Sequence, residues 1–473
     1  MRILLLFPPY ALSSQISGKK EWDKIIPRIH PLGIGYLAAY LLKHGQEVVV
    51  VDANCERLEL SDIVQRLNRY SPDIVGISTT TPTFKTIRLI ANEIRRNFPD
   101  TKIIIGGAHV TATPETAMLH DCFDYGVIGE GEETFLELCK FIDNPKGKSL
   151  DDIAGLVYVR DGRVIKTKKR EFITELDKLP FPARQLMVPL SKTQAVPASV
   201  YKLPSGNMIT SRGCPTRCTF CDRAIFGEKF RARSVDNILD EMEVLIDEYG
   251  ARDVKFYDDT FTATKSRVYK ILDEMKKRRI TVKWSCLTKA KAVDKDLLKY
   301  MKECGCWQVL YGLESGDDRM LKLLKKGNTV EDNRRAVIWA SELGMSTRGD
   351  FVLGTPGETK ESLNNTLNFA LSIPLDYAHF NKFVPFPGTE IYHNLMQQGY
   401  KLDDALTEGS SIDFFNVEFV PDGLDKNYYE NFLREAHRKF YFRPGHLLRS
   451  LSKLRTIDQF KVQMTGFKAL LRV

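Results

Sequence analysis

Short apolar runs that end in Gly, Pro, Thr or Asp, each followed by a segment of helical spacing, recur along most of this 473-residue chain. That alternation restricts the fold more than any other feature, because strands separated by helices pair in parallel. In the first block Ile3–Phe7, Val48–Val51, Ile74–Ser78, Ile103–Ile105 and Tyr125–Ile128 read as strands. Leu32–His44, Asp62–Tyr70, Phe84–Asn97 and Glu133–Ile142 read as the helices between and after them. Five such units predict a doubly wound, Rossmann-like parallel sheet. In the second block the strands are Asn207–Thr210, Val254–Tyr257, Val282–Cys286, Gln308–Gly312, Gly349–Leu353 and His379–Val384, with helical segments between. Six units of that kind predict a partial (β/α)6 TIM-type barrel. The expected class is α/β, divided at 1–145, 146–203, 204–395 and 396–473. The second segment is a connector with a hairpin at Asp161-Gly162 and an extended Leu179-Pro180-Phe181-Pro182 crossing; the last is helical.

The net charge of +8 comes from 69 Lys and Arg against 61 Asp and Glu. Residues 432–473 hold ten of the bases and two of the acids, leaving 59 of each in the rest of the chain. A neutral body argues against a nucleic-acid-binding one. In the tail, Leu447, Leu448, Leu451, Leu454, Ile457, Phe460, Met464 and Phe467 recur at roughly helical spacing among the bases, after Pro444. This is the pattern of a helix capping the barrel with its basic face in water, or of a basic amphipathic helix on an anionic membrane surface. The apolar start Ile3–Phe7 is cut short by Pro8-Pro9, and no apolar run approaches ~18 residues, so a cytoplasmic and at most membrane-peripheral protein is expected.

The informative loops follow the strands, where open α/β sheets bind ligands. They carry Thr79-Thr80-Thr81, Gly106-Gly107-Ala108-His109 and Gly129-Glu130-Gly131-Glu132. Tight turns alone would account for these glycines equally well.

Nine cysteines are present, and three of them, Cys214, Cys218 and Cys221, crowd into one loop after the first barrel strand. Structural zinc takes four ligands, commonly from paired cysteines, and no second pair is suitably placed. Electron-transfer iron–sulfur clusters also take four. Three thiolates leave one iron of a four-iron cluster open; three unrelated core cysteines and a zinc knuckle are the alternatives.

The run Ser211-Arg212-Gly213-Cys214-Pro215-Thr216-Arg217-Cys218-Thr219-Phe220-Cys221 resembles the radical S-adenosylmethionine (SAM) superfamily. The resemblance implies that Cys214, Cys218 and Cys221 bind a 4Fe-4S cluster whose open iron chelates SAM. One electron then cleaves SAM to methionine and a 5′-deoxyadenosyl radical. Phe220 matches an aromatic preference of that family. Asp258-Asp259-Thr260-Phe261 would face the SAM amino group, with Asp258 and Asp259 the candidate catalytic carboxylates. Glu314-Ser315-Gly316 resembles the ribose-contacting segment, and Pro385-Phe386-Pro387-Gly388-Thr389 the turn beside the adenine. Gly354 and Pro356, after the fifth strand, are further candidates.

With such a barrel behind it, the N-terminal block resembles the cobalamin-binding domain of cobalamin-dependent radical SAM enzymes. Thr79, Gly106, Gly107, His109, Gly129, Glu130 and Gly131 are then the candidate cobalamin contacts. The Asp-x-His-x-x-Gly loop that ligates cobalt in other cobalamin domains is missing: Pro8-Pro9-Tyr10-Ala11-Leu12-Ser13-Ser14 holds no histidine, and His30 is followed by Pro31-Leu32-Gly33. The wording of the chain is most similar to the branch holding anaerobic magnesium-protoporphyrin monomethyl ester cyclases and hopanoid methylases. That implies methylation of an unactivated carbon of a small or lipid-like substrate, or oxidative cyclisation, with a flavodoxin- or ferredoxin-type electron donor and no nucleic acid. A methylthiotransferase and a non-catalytic cobalamin sensor are the competing classes.

Overall fold

The computed structural model describes residues 1–10, 27–194, 197–402, 419–452 and 456–470. Strands β1 (Arg2–Phe7), β2 (Glu47–Asp52), β3 (Ile74–Ser78), β4 (Lys102–Gly106) and β5 (Tyr125–Val127) form a parallel sheet in the order β2-β1-β3-β4-β5. The alternation predicted this layer, and its reason is visible in the packing. Leu4, Leu6, Val75, Ile77, Ile103 and Ile105 face the helices Leu60–Tyr70 and Phe84–Asn97, in one apolar cluster. Ile3, Leu5, Ile74 and Ile104 face Leu32–Lys43 and Glu132–Asp143, in another. Burial on both faces explains why these strands are uniformly apolar.

The hairpin at Asp161-Gly162 also forms, as β6 (Leu156–Arg160) and β7 (Arg163–Lys166). It does not stand apart in the connector. β6 pairs antiparallel with β5, so the sheet has seven strands and a mixed edge. Both turn residues are left-handed, at φ 52 and 70°, as a two-residue hairpin requires.

Chain order reverses about β1 and β3, and open sheets of this order take ligands at that switch point, beyond the carboxyl ends of the strands. The loops there are Pro8–Tyr10 and Thr79–Thr81. The predicted loop residues Ala11–Ser14 lie outside the described residues.

The second sheet holds β8 (Ser205–Met208), β11 (Asp253–Phe256), β12 (Lys283–Thr288), β13 (Cys306–Glu314), β14 (Ser346–Leu353) and β15 (Tyr377–Lys382). All are parallel and lie in sequence order, the connectivity of a β/α barrel. β9 (Ser211–Arg212) and β10 (Arg231–Ala232) pair antiparallel at its carboxyl end.

The tail is two helices, Pro444–Ser452 and Ile457–Leu470, where the sequence suggested one. Both lie at the amino ends of the barrel strands. Arg449 pairs with Asp376 at 3.1 Å, the Thr456 hydroxyl donates to the Tyr201 carbonyl at 2.7 Å, and Asp458 accepts from the Leu203 N–H at 3.0 Å. The tail therefore caps the barrel, as one of the two readings expected. Ile457, Phe460 and Met464 stay exposed. Leu454, also in the expected stripe, is outside the described residues. No helix among the described residues is long and apolar enough to cross a membrane.

Candidate active site

The cysteine loop starts where β9 ends. Gly213 sits at φ +85°, and a Cβ there would lie 2.4 Å from the Lys229 carbonyl oxygen. Only glycine permits this close return of the chain. The loop places Cys214 and Cys218 in buried positions and Cys221 in an exposed one. The Cys214 sulfur lies 3.0 Å from the Thr216 hydroxyl and 3.8 Å from that of Thr260. Desolvation pushes the Cys221 thiol up to about 12, helped by Cys218, Asp259, Cys214 and Asp222. Neighbouring thiols and carboxylates that raise one another want a cation. Among the described residues, no three His, Cys, Asp or Glu side chains converge tightly enough to hold a single metal ion. A cuboidal cluster holds its thiolates further apart than one ion does, and three cysteines from one loop are compatible with that wider spacing.

Two lysines that the sequence reading did not single out stand beside these thiols. Lys326 pairs with Glu314 at 2.6 Å, both buried. Its ammonium is 6.0 Å from the centre of the Phe220 ring, and its proton is held more tightly through Glu314, Cys218 and Cys221 against the penalty of burial. Lys289 donates to the Lys326 carbonyl at 2.6 Å, and burial pushes its ammonium down. Lys289 follows β12 directly, where the strand-end rule would have found it. Lys326 sits beyond a short helix, and no local signal marks it.

The two predicted carboxylates separate. Asp258 is fully buried and takes hydrogen bonds from the Thr210 N–H at 3.2 Å, the Thr210 hydroxyl at 2.7 Å and the Ser211 hydroxyl. It fixes the turn that leads into the cysteine loop, and its side chain does not reach the open site. Burial raises it despite these donors and nearby Arg267. Asp259 is exposed and lies near Cys221. Burial of its surroundings and the Asp258 charge raise it. Ser315 is likewise turned inward, onto the Thr366 hydroxyl at 3.0 Å. Gly354, at φ +79°, makes room for a helix: a Cβ there would lie 2.2 Å from the Tyr429 hydroxyl oxygen. Pro356 is half-buried in the same turn.

On the N-terminal side, the Thr79 N–H and hydroxyl both donate to the Gly106 carbonyl, at 2.6 and 2.8 Å. A Cβ on Gly107, at φ +103°, would lie 2.7 Å from the Thr79 carbonyl oxygen. That glycine answers to its neighbouring loop. Gly129, at φ +77°, has open space where a Cβ would be, and Gly131 begins the helix Glu132–Asp143. His109 is a correction: it does not line the crevice. It is 1% exposed, packs on Phe84 with ring centres 4.0 Å apart, and meets Thr81 at 3.2 Å and Thr113 at 3.4 Å through its two nitrogens. Glu130 is the second correction. Its buried carboxylate takes Arg212 at 2.7 Å, Arg231 at 2.8 Å and the Ile173 N–H at 2.9 Å. Its side chain is committed to the barrel.

That commitment makes the two crevices face each other. Arg212 enters the cysteine loop, and Glu130 belongs to the glycine loop after β5. A second meeting point lies at Gly388, in the turn after β15, where a Cβ would come within 3.0 Å of both Ala112, beyond the Gly107 loop, and Asp222, next to Cys221. Three segments from the two domains converge there.

The B12 binding domain model matches residues 23–139, and the radical SAM superfamily model matches 208–370. An uncharacterized methyltransferase of Pyrococcus horikoshii is 34% identical over 458 residues, spanning 95% of each chain. The chain belongs to the cobalamin-dependent radical SAM enzymes. It is also 27% identical to the anaerobic magnesium-protoporphyrin IX monomethyl ester cyclase of Rubrivivax gelatinosus, over all of this chain and 82% of that one. The fold matches the radical SAM methyltransferase TsrM from Kitasatospora setae at a TM-score of 0.67 and 22% identity, covering 84% of this chain and 75% of that one. Membership in this family agrees with the cobalamin and radical SAM resemblances drawn from the cysteine and glycine motifs.

Proposed function

We propose that this enzyme methylates an unactivated carbon of a small or lipid-like substrate in the cleft between its two domains. The observation that carries this is the Arg212–Glu130 contact, which sets the cysteine loop opposite the strand-end crevice of the B12-binding sheet. Cys214, Cys218 and Cys221 would hold the 4Fe-4S cluster, and the loops at Thr79, Gly106 and Gly129 would border the corrin. Bound there, these groups supply reductive cleavage of SAM and a transferable methyl group.

The chain's own residues then have separable tasks. Asp258 holds the Thr210–Ser211 turn in place. Asp259, exposed beside Cys221, can accept an ammonium such as that of SAM. The Lys326–Glu314 pair sets the charge behind the loop. Phe220, packed beside Lys326, walls that side. Oxidative cyclisation is the second reading, favoured by the full-length similarity to the Rubrivivax gelatinosus cyclase. An external flavodoxin- or ferredoxin-type protein would supply electrons. The exposed Ile457, Phe460 and Met464, with Lys461 between them, would let the tail rest on an anionic membrane near an apolar substrate.

Product analysis with SAM and candidate substrates separates the two chemistries. Methyl transfer yields S-adenosylhomocysteine alongside 5′-deoxyadenosine, whereas cyclisation yields 5′-deoxyadenosine without it.

A further inference from the structure

Alternate residues of the six barrel strands face opposite ways. Val254, Phe256, Trp284, Cys286, Val309 and Phe351 pack into the apolar core with the surrounding helices. Their neighbours Lys255, Ser285, Gln308, Arg348, Asp350 and His379 face inward. Register puts Lys255 beside Asn207 and Ser285, and Ser285 beside Gln308. Asp350 stands beside His379. Lys255 and Gln308 are buried, while Arg348, Asp350 and His379 are partly exposed at 15, 22 and 31%. The inner face is thus deep at Lys255 and open towards β14 and β15.

Among the described residues of this face, Lys255 is the charged group without a hydrogen bond; the opposite charge that acts on it is Asp253, two residues earlier. Asp350 takes Arg348 through two bonds, at 2.9 and 3.0 Å. Asp253 takes the Tyr201 N–H at 3.2 Å, the Ser205 hydroxyl at 3.4 Å and the Trp307 indole N–H at 3.0 Å. Lys255 Nζ is buried with no hydrogen-bond partner, and so is Gln308 Oε1 on the same rung. Burying a polar group without a partner costs stability, and burying an unpaired cation costs more. Burial pushes the Lys255 ammonium down to about 8 and the Asp253 carboxyl up to about 6. A buried amine with free hydrogen-bonding capacity on the inner face of the barrel is a candidate to receive an anion.

We propose that Lys255 receives an anionic oxyacid group of the substrate, a carboxylate or a phosphonate or phosphate. The placement also sets a length. Lys255 lies three residues before Asp258, so the anion sits ~10 Å along the strand from the turn that supports the cysteine loop. The reacting carbon is therefore several bonds from the acid. The proposal rests on the methyl-transfer reading only for where that carbon lies; anion binding itself is independent of turnover.

The test is ligand-observed NMR with the full-length protein and two probes, methylphosphonate followed by phosphorus and propionate followed by proton. Saturable line broadening is expected with at least one probe, and which of them broadens distinguishes a phosphorus acid from a carboxylic acid. Lys255→Met is expected to weaken that binding at least tenfold, with Lys270→Met, on an exposed helical face, binding as the native chain does. Because Lys255→Met takes from buried Asp253 the cation that acts on it, a thermal melt of the variant is run beside the binding measurement as the control for folding. Lys255→Gln carries the same binding expectation if the methionine variant does not fold. No saturable binding of either probe, which would leave the amine to water alone, overturns the proposal. So does unchanged binding in both variants. Corrin and cluster absorbance report on the methyl-transfer reading separately and are expected to persist in Lys255→Met.

Discussion

Arg212 and Glu130 form a buried ion pair, Nη1 to Oε1 at 2.7 Å, between the strand that opens the cysteine loop and the glycine loop of the B12-binding sheet. Arg212 also reaches Glu132 at 2.6 Å, and Arg231 shares Glu130. Removing one partner of a buried pair leaves an uncompensated charge. Arg212→Met is expected to cost about 3–5 kcal/mol of stability in urea unfolding. Arg212→Lys is expected to rescue only part, because an ammonium cannot span two carboxylates as the planar fork does. Coupling with Glu130→Gln in a double-mutant cycle is expected to be strongly non-additive.

Gly107 tests the crevice without touching a charge. Its left-handed φ of +103° opposes a side chain, and so does the Thr79 carbonyl oxygen, which would stand 2.7 Å from a Cβ. Gly107→Ala is expected to lose at least ~1–2 kcal/mol and to lower corrin retention on gel filtration. Gly129→Ala meets no neighbour within 4 Å, so it bears only the cost of its backbone conformation and should remain the more stable of the two in thermal melts.

The His109 ring supplies a pH test. Burial, with His120 beside it, pushes its imidazole from 6.5 down to about 4. Between those values the unfolded chain binds a proton that the folded chain refuses, so stability rises with pH through that window. It is fully present above pH 6.5 and is lost as pH falls towards 4. His109→Gln is expected to reduce this slope in denaturant titrations run across pH 4–7, leaving the contributions of the other buried histidines, among them His30 and His446, which burial also pushes down to about 4.

These cases mark what the linear sequence carries. Strands such as Ile74–Ser78 and the glycines that end them are local patterns, and so are the three cysteines on one loop. Each could be placed before any contact was known. Glu130 misled because its partner Arg212 is 82 residues away: an acidic residue in a glycine loop looks the same whether it meets a ligand or another domain. His109 misled similarly, since only the packing of Phe84 against it turns the ring inward. Lys326 was missed because nothing near it in sequence resembles a strand end. The Asp161-Gly162 hairpin was found, but its pairing with β5 depends on an exposed sheet edge that no local pattern shows.

Lys326 places a positive charge beside the cysteine loop. Its ammonium stands beside Cys218 and Cys221 and is tied to Glu314. Lys326→Met removes a positive charge next to the cluster position and strands a buried carboxylate. The cluster potential is expected to move to more negative values in redox titrations followed by electron paramagnetic resonance. SAM cleavage is expected to slow about tenfold, which corresponds to ~1.4 kcal/mol. Lys325→Met, which breaks only an exposed pair with Glu390, is expected to change neither.

The most direct measurement is anaerobic reconstitution with iron, sulfide, cobalamin, SAM and reductant, reading absorbance and 5′-deoxyadenosine on the same sample. Cluster and corrin bands are expected together, with 5′-deoxyadenosine that disappears in Cys218→Ala while the corrin band remains. A cluster without corrin, or 5′-deoxyadenosine that survives Cys218→Ala, would contradict a single cleft shared by the two domains.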